Sequence, residues 1–100
     1  MKQYSQKELI EDLEREDTLY LYFTSKGCGP CKEIKMLAEA WEPKQSIVYL
    51  INADEAHDLQ QELEIVGYPT IAVVKDKDLI ELAQGKEQVF NLMMNGKSNK

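Results

Sequence analysis

Apolar and polar positions along this chain follow two periods, and each change of period marks a new element. Leu9, Ile10 and Leu13 form an apolar stripe behind the capping-box signature Ser5-Gln6-Lys7-Glu8, which predicts a helix from about Ser5 to Arg15. Thr18 to Thr24 (TLYLYFT) is rich in β-branched and aromatic residues and predicts a buried strand. Ile34, Leu37, Ala38 and Trp41 then recur at i, i+3, i+4 and i+7. That spacing predicts an amphipathic helix from Pro30 to about Glu42, with Trp41 in the core and Pro43 as the stop. Ser46 to Asn52 (SIVYLIN) predicts a second strand, and Ala53 to Ile65 a third helix buried through Ala56, Leu59 and Leu63. Gly67 and Pro69 interrupt the pattern. Thr70–Val74 and Leu79–Ala83 read as an antiparallel hairpin turned at Lys75–Asp78 and ended by Gly85. A last helix, about Lys86 to Met94, is expected to turn Val89, Phe90 and Met93 inward, ahead of a polar, frayed tail over residues 95–100.

Strand, helix and strand over Thr18–Asn52 imply a parallel pair joined by a crossover, because parallel strands need a long connection. The hairpin adds antiparallel strands. The expected fold class is α/β: one central mixed sheet with helices on both faces, in a single domain spanning residues 1–100.

Composition agrees with a folded domain. The chain has 100 residues, 43% hydrophobic and 30% charged, enough for one core without staples. Its net charge of −6 argues against general binding to nucleic acid or to acidic membranes. No apolar run approaches the ~20 residues of a membrane helix. The opening MKQYSQKELI turns polar at once, unlike a signal peptide. A cytoplasmic monomer is therefore expected. Structural disulfides seldom persist there, so the two cysteines point to redox chemistry or to metal.

Both cysteines lie in Thr24–Ile34, TSKGCGPCKEI. A closed zinc site needs four ligands, and the chain offers Cys28, Cys31 and one histidine, His57, far along the sequence. An intramolecular site would need a carboxylate as well; a cluster shared by two chains is the other metal option. The redox reading asks for less. The pair follows a strand and opens a helix, where unpaired amides and the helix dipole favour a thiolate at Cys28. Such placement brings a thiol pKa from ~8.5 to near or below 7. Lys26 and Lys32 add positive potential, and Pro30 suits a first helical turn. Cys31, one turn along, is expected to be the more buried thiol. That asymmetry suits attack by Cys28 and resolution by Cys31.

CGPCK at Cys28–Lys32, between a strand and a helix, resembles the active-site motif of the thioredoxin family. VGYPT at Val66–Thr70 resembles that family's cis-proline loop, independently of the cysteines. The resemblance runs from Ser5 to about Met94 and implies a thioredoxin-like fold whose first strand, if present, is confined to Lys2–Tyr4. It implies a cis Pro69 facing the cysteines and a Tyr68 backbone that pairs with extended substrate. It likens Asn52–Glu55 to the end of the family's central strand and Gly85 to a glycine bordering the groove. It implies a thiol–disulfide oxidoreductase acting on protein disulfides through a reversible Cys28–Cys31 bond. The active-site loop and groove would comprise Lys26, Gly27, Gly29, Pro30, Gly67, Tyr68, Pro69 and Thr70. No metal or organic cofactor is implied; electrons would come from a thioredoxin reductase-type flavoprotein. Two rivals stay open: a glutaredoxin-like or single-enzyme-dedicated reductant, and a thioredoxin-fold binding module.

The chain also departs from the family. Gly27 stands where a Trp is usual, and Met36 where a kinking proline is usual. Tyr22 and Leu50 replace a buried acid and its lysine partner, which leaves Cys31 without an internal base. The acidic run Glu8–Asp17, which includes Asp12, reads as a solvated helix face, and His57 as exposed.

Overall fold

The computed structural model describes residues 2–15, 18–26, 28–29, 31–32, 36 and 46–95. Five strands, β1 (Lys2–Gln3), β2 (Thr18–Thr24), β3 (Ser46–Asn52), β4 (Thr70–Lys75) and β5 (Asp78–Gln84), form one sheet in the order β1-β3-β2-β4-β5. β2 and β3 carry the expected bounds, because each is a near-continuous apolar run in the middle of a sheet covered on both sides. They pair in parallel, as do β1 and β3; β4 runs antiparallel to β2 and to β5. The mixed sheet is thus as expected, and the first strand is short: Lys2 pairs with Tyr49 and Gln3 with Leu50.

Helices α1 (Gln6–Leu13) and α2 (His57–Glu62) pack on one face of the sheet, and α3 (Lys86–Asn95) on the other. Alternation along β2 divides the core between them. Tyr20 and Tyr22 face Val89, Leu92 and Met93 of α3. Leu19, Leu21 and Phe23 face Leu9 of α1 and Ala56 at the start of α2. Each such fully buried aliphatic or aromatic side chain contributes roughly 1.5–3 kcal/mol.

Several expectations need correction. α1 is shorter than Ser5–Arg15. Ser5 is its N-cap and accepts a 3.4 Å bond from the Glu8 N–H, which is one half of a capping box. Ile10 is 53% exposed, while Asp12, expected in solvent, is buried. The inner stripe is Leu9, Asp12 and Leu13, at i, i+3 and i+4; Ile10 stands about 100° away from Leu9. α3 repeats the error. Phe90 is exposed, one residue out of phase with Val89, and Leu92 takes its place beside Met93. The predicted third helix is broken. A 3-10 turn over Ala53–Glu55 precedes α2, and Gln60 is buried along with Ala56. Of the helix expected over Pro30–Glu42, Cys31, Lys32 and Met36 have helical backbone, as does Gly29 just before it. The rest of that stretch, with Trp41 and the stop at Pro43, lies outside the described residues; of the tail expected over residues 95–100, Asn95 closes the last helix and the remainder lies outside the described residues.

The hairpin turn places Asp76 and Lys77 at φ 53° and 69°, the left-handed pair that a tight two-residue loop requires. A bulge then offsets the pairing, so that Val73 opposes Glu81 and Val74 opposes Leu79. Ile80 is the extra residue. The bulge accounts for two successive exposed apolar side chains on β5 and interrupts an open sheet edge.

α2 ends in a Schellman motif: the Glu64 N–H donates to the Gln61 carbonyl at 3.1 Å and the Ile65 N–H to the Gln60 carbonyl at 2.9 Å. The residue turning the chain is Glu64, at φ 58°, where glycine is at ease and a side chain is not. Glu64→Gly is expected to stabilise the protein by about 1 kcal/mol, read as a higher urea midpoint at unchanged slope. A lower midpoint would show that the Glu64 side chain makes a compensating contact.

Candidate active site

Strand register gathers the chemistry at one end of the sheet. Thr24 at the end of β2 pairs with Asn52, which opens the 3-10 turn. Phe23 pairs with Thr70, the first residue of β4, directly after Pro69. Thr70 pairs in turn with Gln84, directly before Gly85. The cysteine loop, the Ala53–Glu55 turn, the Gly67–Pro69 loop and Gly85 therefore emerge together. Sequence neighbours do not bring them there; the parallel β2–β3 pair and the β4–β5 hairpin do.

Cys28 and Cys31 form a disulfide with Cα atoms 5.2 Å apart. Cys28 is half-buried, and Cys31 is 2% exposed. The Cys28 N–H donates to the Ser25 carbonyl at 3.4 Å, which folds the loop back from the end of β2. The Cys31 N–H donates to Cys28 Sγ at 3.2 Å. This is one of the free amides of a helix start aimed at the outer sulfur, where it favours negative charge. Lys26 and Lys32 flank the pair and are exposed. Gly29 has open space where a Cβ would stand. Gly27 and Pro30 lie outside the described residues.

The Tyr68–Pro69 peptide is cis, as the loop's resemblance implied. Pro69 is buried, and Gly67 and Tyr68 are half-buried. The loop is pinned on several sides. Thr70 Oγ1 donates to the Gly67 carbonyl at 2.7 Å, the Gly85 N–H donates to the Pro69 carbonyl at 2.8 Å, and the Val66 N–H donates to Gln84 Oε1 at 3.2 Å. Gly85 has φ +91°, a conformation that side chains rarely adopt, so a glycine here lets the chain leave β5 towards α3.

Behind Cys31, Tyr22 is fully buried, and its hydroxyl donates to the Cys31 carbonyl oxygen at 3.1 Å. Burial pushes its pKa up to about 12. At ordinary pH it is a neutral donor, with no capacity to take the Cys31 proton. Leu50, opposite it in the register, packs against the same core. Both are core residues, and Tyr22 also anchors the backbone under the inner sulfur.

Sequence reasoning missed two buried polar groups. Asp12 accepts the Tyr49 hydroxyl at 2.5 Å and Lys2 Nζ at 3.0 Å. Gln60 accepts the Tyr68 hydroxyl. The signal was present in each case: a polar residue inside an apolar stripe, at 9, 12, 13 and at 56, 59, 60, 63. His57 is exposed as expected, and among the described residues no group of His, Cys, Asp or Glu is placed to hold a metal ion.

With fold and site in view, comparison with known proteins is decisive for the family. Residues 1–95 match the thioredoxin family model, and the chain belongs to the thioredoxin family. It is similar to thioredoxin-1 of Caenorhabditis elegans, 35% identical over 72 residues, which cover 70% of this chain and 63% of that protein. It is also similar to a Caenorhabditis elegans peptide-N(4)-(N-acetyl-beta-glucosaminyl)asparagine amidase, 28% identical over 81% of this chain and 14% of that protein. The chain thus spans less than two thirds of the length of these curated relatives. Among solved structures, oxidised thioredoxin from Plasmodium falciparum superposes with a TM-score of 0.79 at 20% identity, over 98% of this chain and 99% of that one. That likeness shows the fold. The cysteine pair, at disulfide distance within this fold, fits a redox-active dithiol.

Proposed function

We propose that this protein is a thiol–disulfide oxidoreductase that reduces protein disulfides. The observation that carries the reading is the Cys28–Cys31 disulfide at a helix start, with one sulfur reachable and the other enclosed. In the reduced protein, the Cys28 thiolate attacks one sulfur of a substrate disulfide and expels the other as a thiolate, which takes a proton from solvent. Cys31 then loses its proton to water and attacks Cys28 Sγ. The Cys28–Cys31 bond forms, the mixed disulfide breaks, and the second substrate thiol leaves. Two electrons have moved from the protein to the substrate.

The surrounding residues take supporting roles in this reading. Gly29 and Pro30 shape the loop, and Lys26 raises the local potential. Gly27, Gly67, Tyr68, Pro69 and Thr70 line the groove, where the Tyr68 backbone pairs with extended substrate. The Pro69 ring keeps water and metal ions from the thiols. A thioredoxin reductase-type flavoprotein returns the electrons. The setting is the cytoplasm, where the pair is kept reduced, and the unit acts as a monomeric single domain. Among the described residues no helix is long and apolar enough to cross a membrane.

Trapping is the direct test. Cys31→Ser removes the resolving thiol, so substrate should stay linked to Cys28 and be recovered as a dithiothreitol-sensitive adduct. Mass spectrometry of the adduct names the partner. Absence of any adduct from a reduced, folded Cys31→Ser protein would overturn the reading in favour of a binding module.

A further inference from the structure

Gln60 has no part in the thiol chemistry, yet it ties together the segments that carry the Tyr68–Pro69 loop. It is buried on α2, 7% exposed. Its amide nitrogen donates to the Ala53 carbonyl at 2.7 Å and to the Ala56 carbonyl at 3.1 Å. Those two acceptors require the NH2 end of the side chain, which leaves the oxygen to accept from the Tyr68 hydroxyl. One side chain therefore joins the 3-10 turn after β3, helix α2 and the cis-proline loop.

The other ties of the loop act on the neighbours of Tyr68: Val66, Gly67 and Pro69. Among the described residues the Tyr68 backbone N–H and C=O have no partner, and the bond to Gln60 is the hydrogen bond that Tyr68 makes. A peptide whose own groups are left open needs another means of orientation. Here that is its ring, held at the far end.

We propose that Gln60 is a positioning residue for substrate recognition. It fixes the Tyr68 side chain against α2, so that the Tyr68 peptide presents its N–H and C=O to an extended polypeptide lying beside Cys28. The inference rests on the oxidoreductase reading and deepens it. The preferred substrate is a disulfide within an extended backbone segment, because a small disulfide has no backbone to pair.

Gln60→Met keeps the length and removes every bond. Tyr68→Phe removes only the bond to Gln60 and leaves α2 and the 3-10 turn tied, so it serves if Gln60→Met does not fold. Both variants should raise KM for insulin about five-fold, the worth of one hydrogen bond. Gln60→Met, which lies outside the groove, should leave kcat and the rate with the small disulfide 5,5′-dithiobis(2-nitrobenzoate) unchanged. The double variant should be no worse than either single one. An unchanged KM, equal losses on both disulfides, or additive effects would overturn the proposal. The order parameter of the Tyr68 amide, measured by NMR, reads positioning without any turnover. It should fall in both variants, and an unchanged value also overturns the proposal. A wild-type protein inactive on both disulfides would instead sink the oxidoreductase reading, and the order parameter would still decide whether Gln60 holds the loop.

Discussion

Cys28→Ser is expected to lower insulin-disulfide reduction to the rate of dithiothreitol alone. A serine hydroxyl does not ionise at neutral pH and forms no S–S bond, so neither the mixed disulfide nor its resolution can occur. The substitution changes one atom at a half-buried position, and the helix start is otherwise undisturbed. The variant should therefore match the reduced wild type in stability. Against the oxidised wild type it should be less stable by roughly 2 kcal/mol, the chain-entropy value for so short a loop. Activity above background in a folded Cys28→Ser protein would place the chemistry elsewhere. Loss of fold would make the bond structural, contrary to the exposure of its outer sulfur.

Asp12→Ala carries the largest expected effect on stability. Asp12 is 6% exposed, and its partner Tyr49 is fully buried. Removing the carboxylate leaves the Tyr49 hydroxyl without its acceptor and releases Lys2, which holds β1 in place. An unsatisfied buried hydroxyl costs about 1–3 kcal/mol, and the packing lost around it adds to that. For a domain of this size Tm should fall by roughly 10 °C or more. Urea unfolding with a midpoint within error of wild type would refute the assignment.

The same pair predicts how stability varies with pH. Burial alone would raise the Asp12 carboxyl. The hydrogen bonds from Tyr49 and Lys2 and the charges of Lys2 and Arg15 outweigh it and hold the pKa below the usual value. The stabilisation is thus present above the unfolded carboxyl's pKa near 4 and is lost as pH falls through the lower folded value. Tyr49 shifts upward, by burial first and then by bonding to Asp12. Its contribution is full below about pH 10 and fades above that, where the unfolded chain ionises first. Asp12→Asn should remove the acid limb of this profile, which urea midpoints from pH 2.5 to 7 would show.

Much of this was legible in the chain. β2 and β3 were bounded correctly because a central strand is apolar on both faces, so an error of phase has no consequence for the reading. The cysteine pair was legible because two thiols at fixed spacing between a strand and a helix are a local pattern, and the cis-proline loop because Val66–Thr70 resembles that of the thioredoxin family. Helix faces were less so. Ile10 and Phe90 read as inward on hydrophobicity, yet each lies one residue out of phase with a stripe set by Leu9 and by Val89. Asp12 and Gln60 were missed for the converse reason, since a stripe defined by apolar residues discards the polar members within it.

By itself, then, the sequence determined the order of elements, the mixed sheet and the spacing of the cysteine pair, all of which depend on local pattern. The tertiary structure alone decided which polar side chains go inside. A buried carboxylate or amide is tolerated when its partners arrive from elsewhere in the chain. Tyr49 reaches Asp12 from 37 residues away, and Tyr68 reaches Gln60 across a loop whose position the β2–β4 register sets. The first meeting lies outside any local window of sequence, and the second, only eight residues long, depends on how the loop between its ends is turned back. They exist because parallel pairing and the hairpin bring distant residues onto one face and to one end of the sheet.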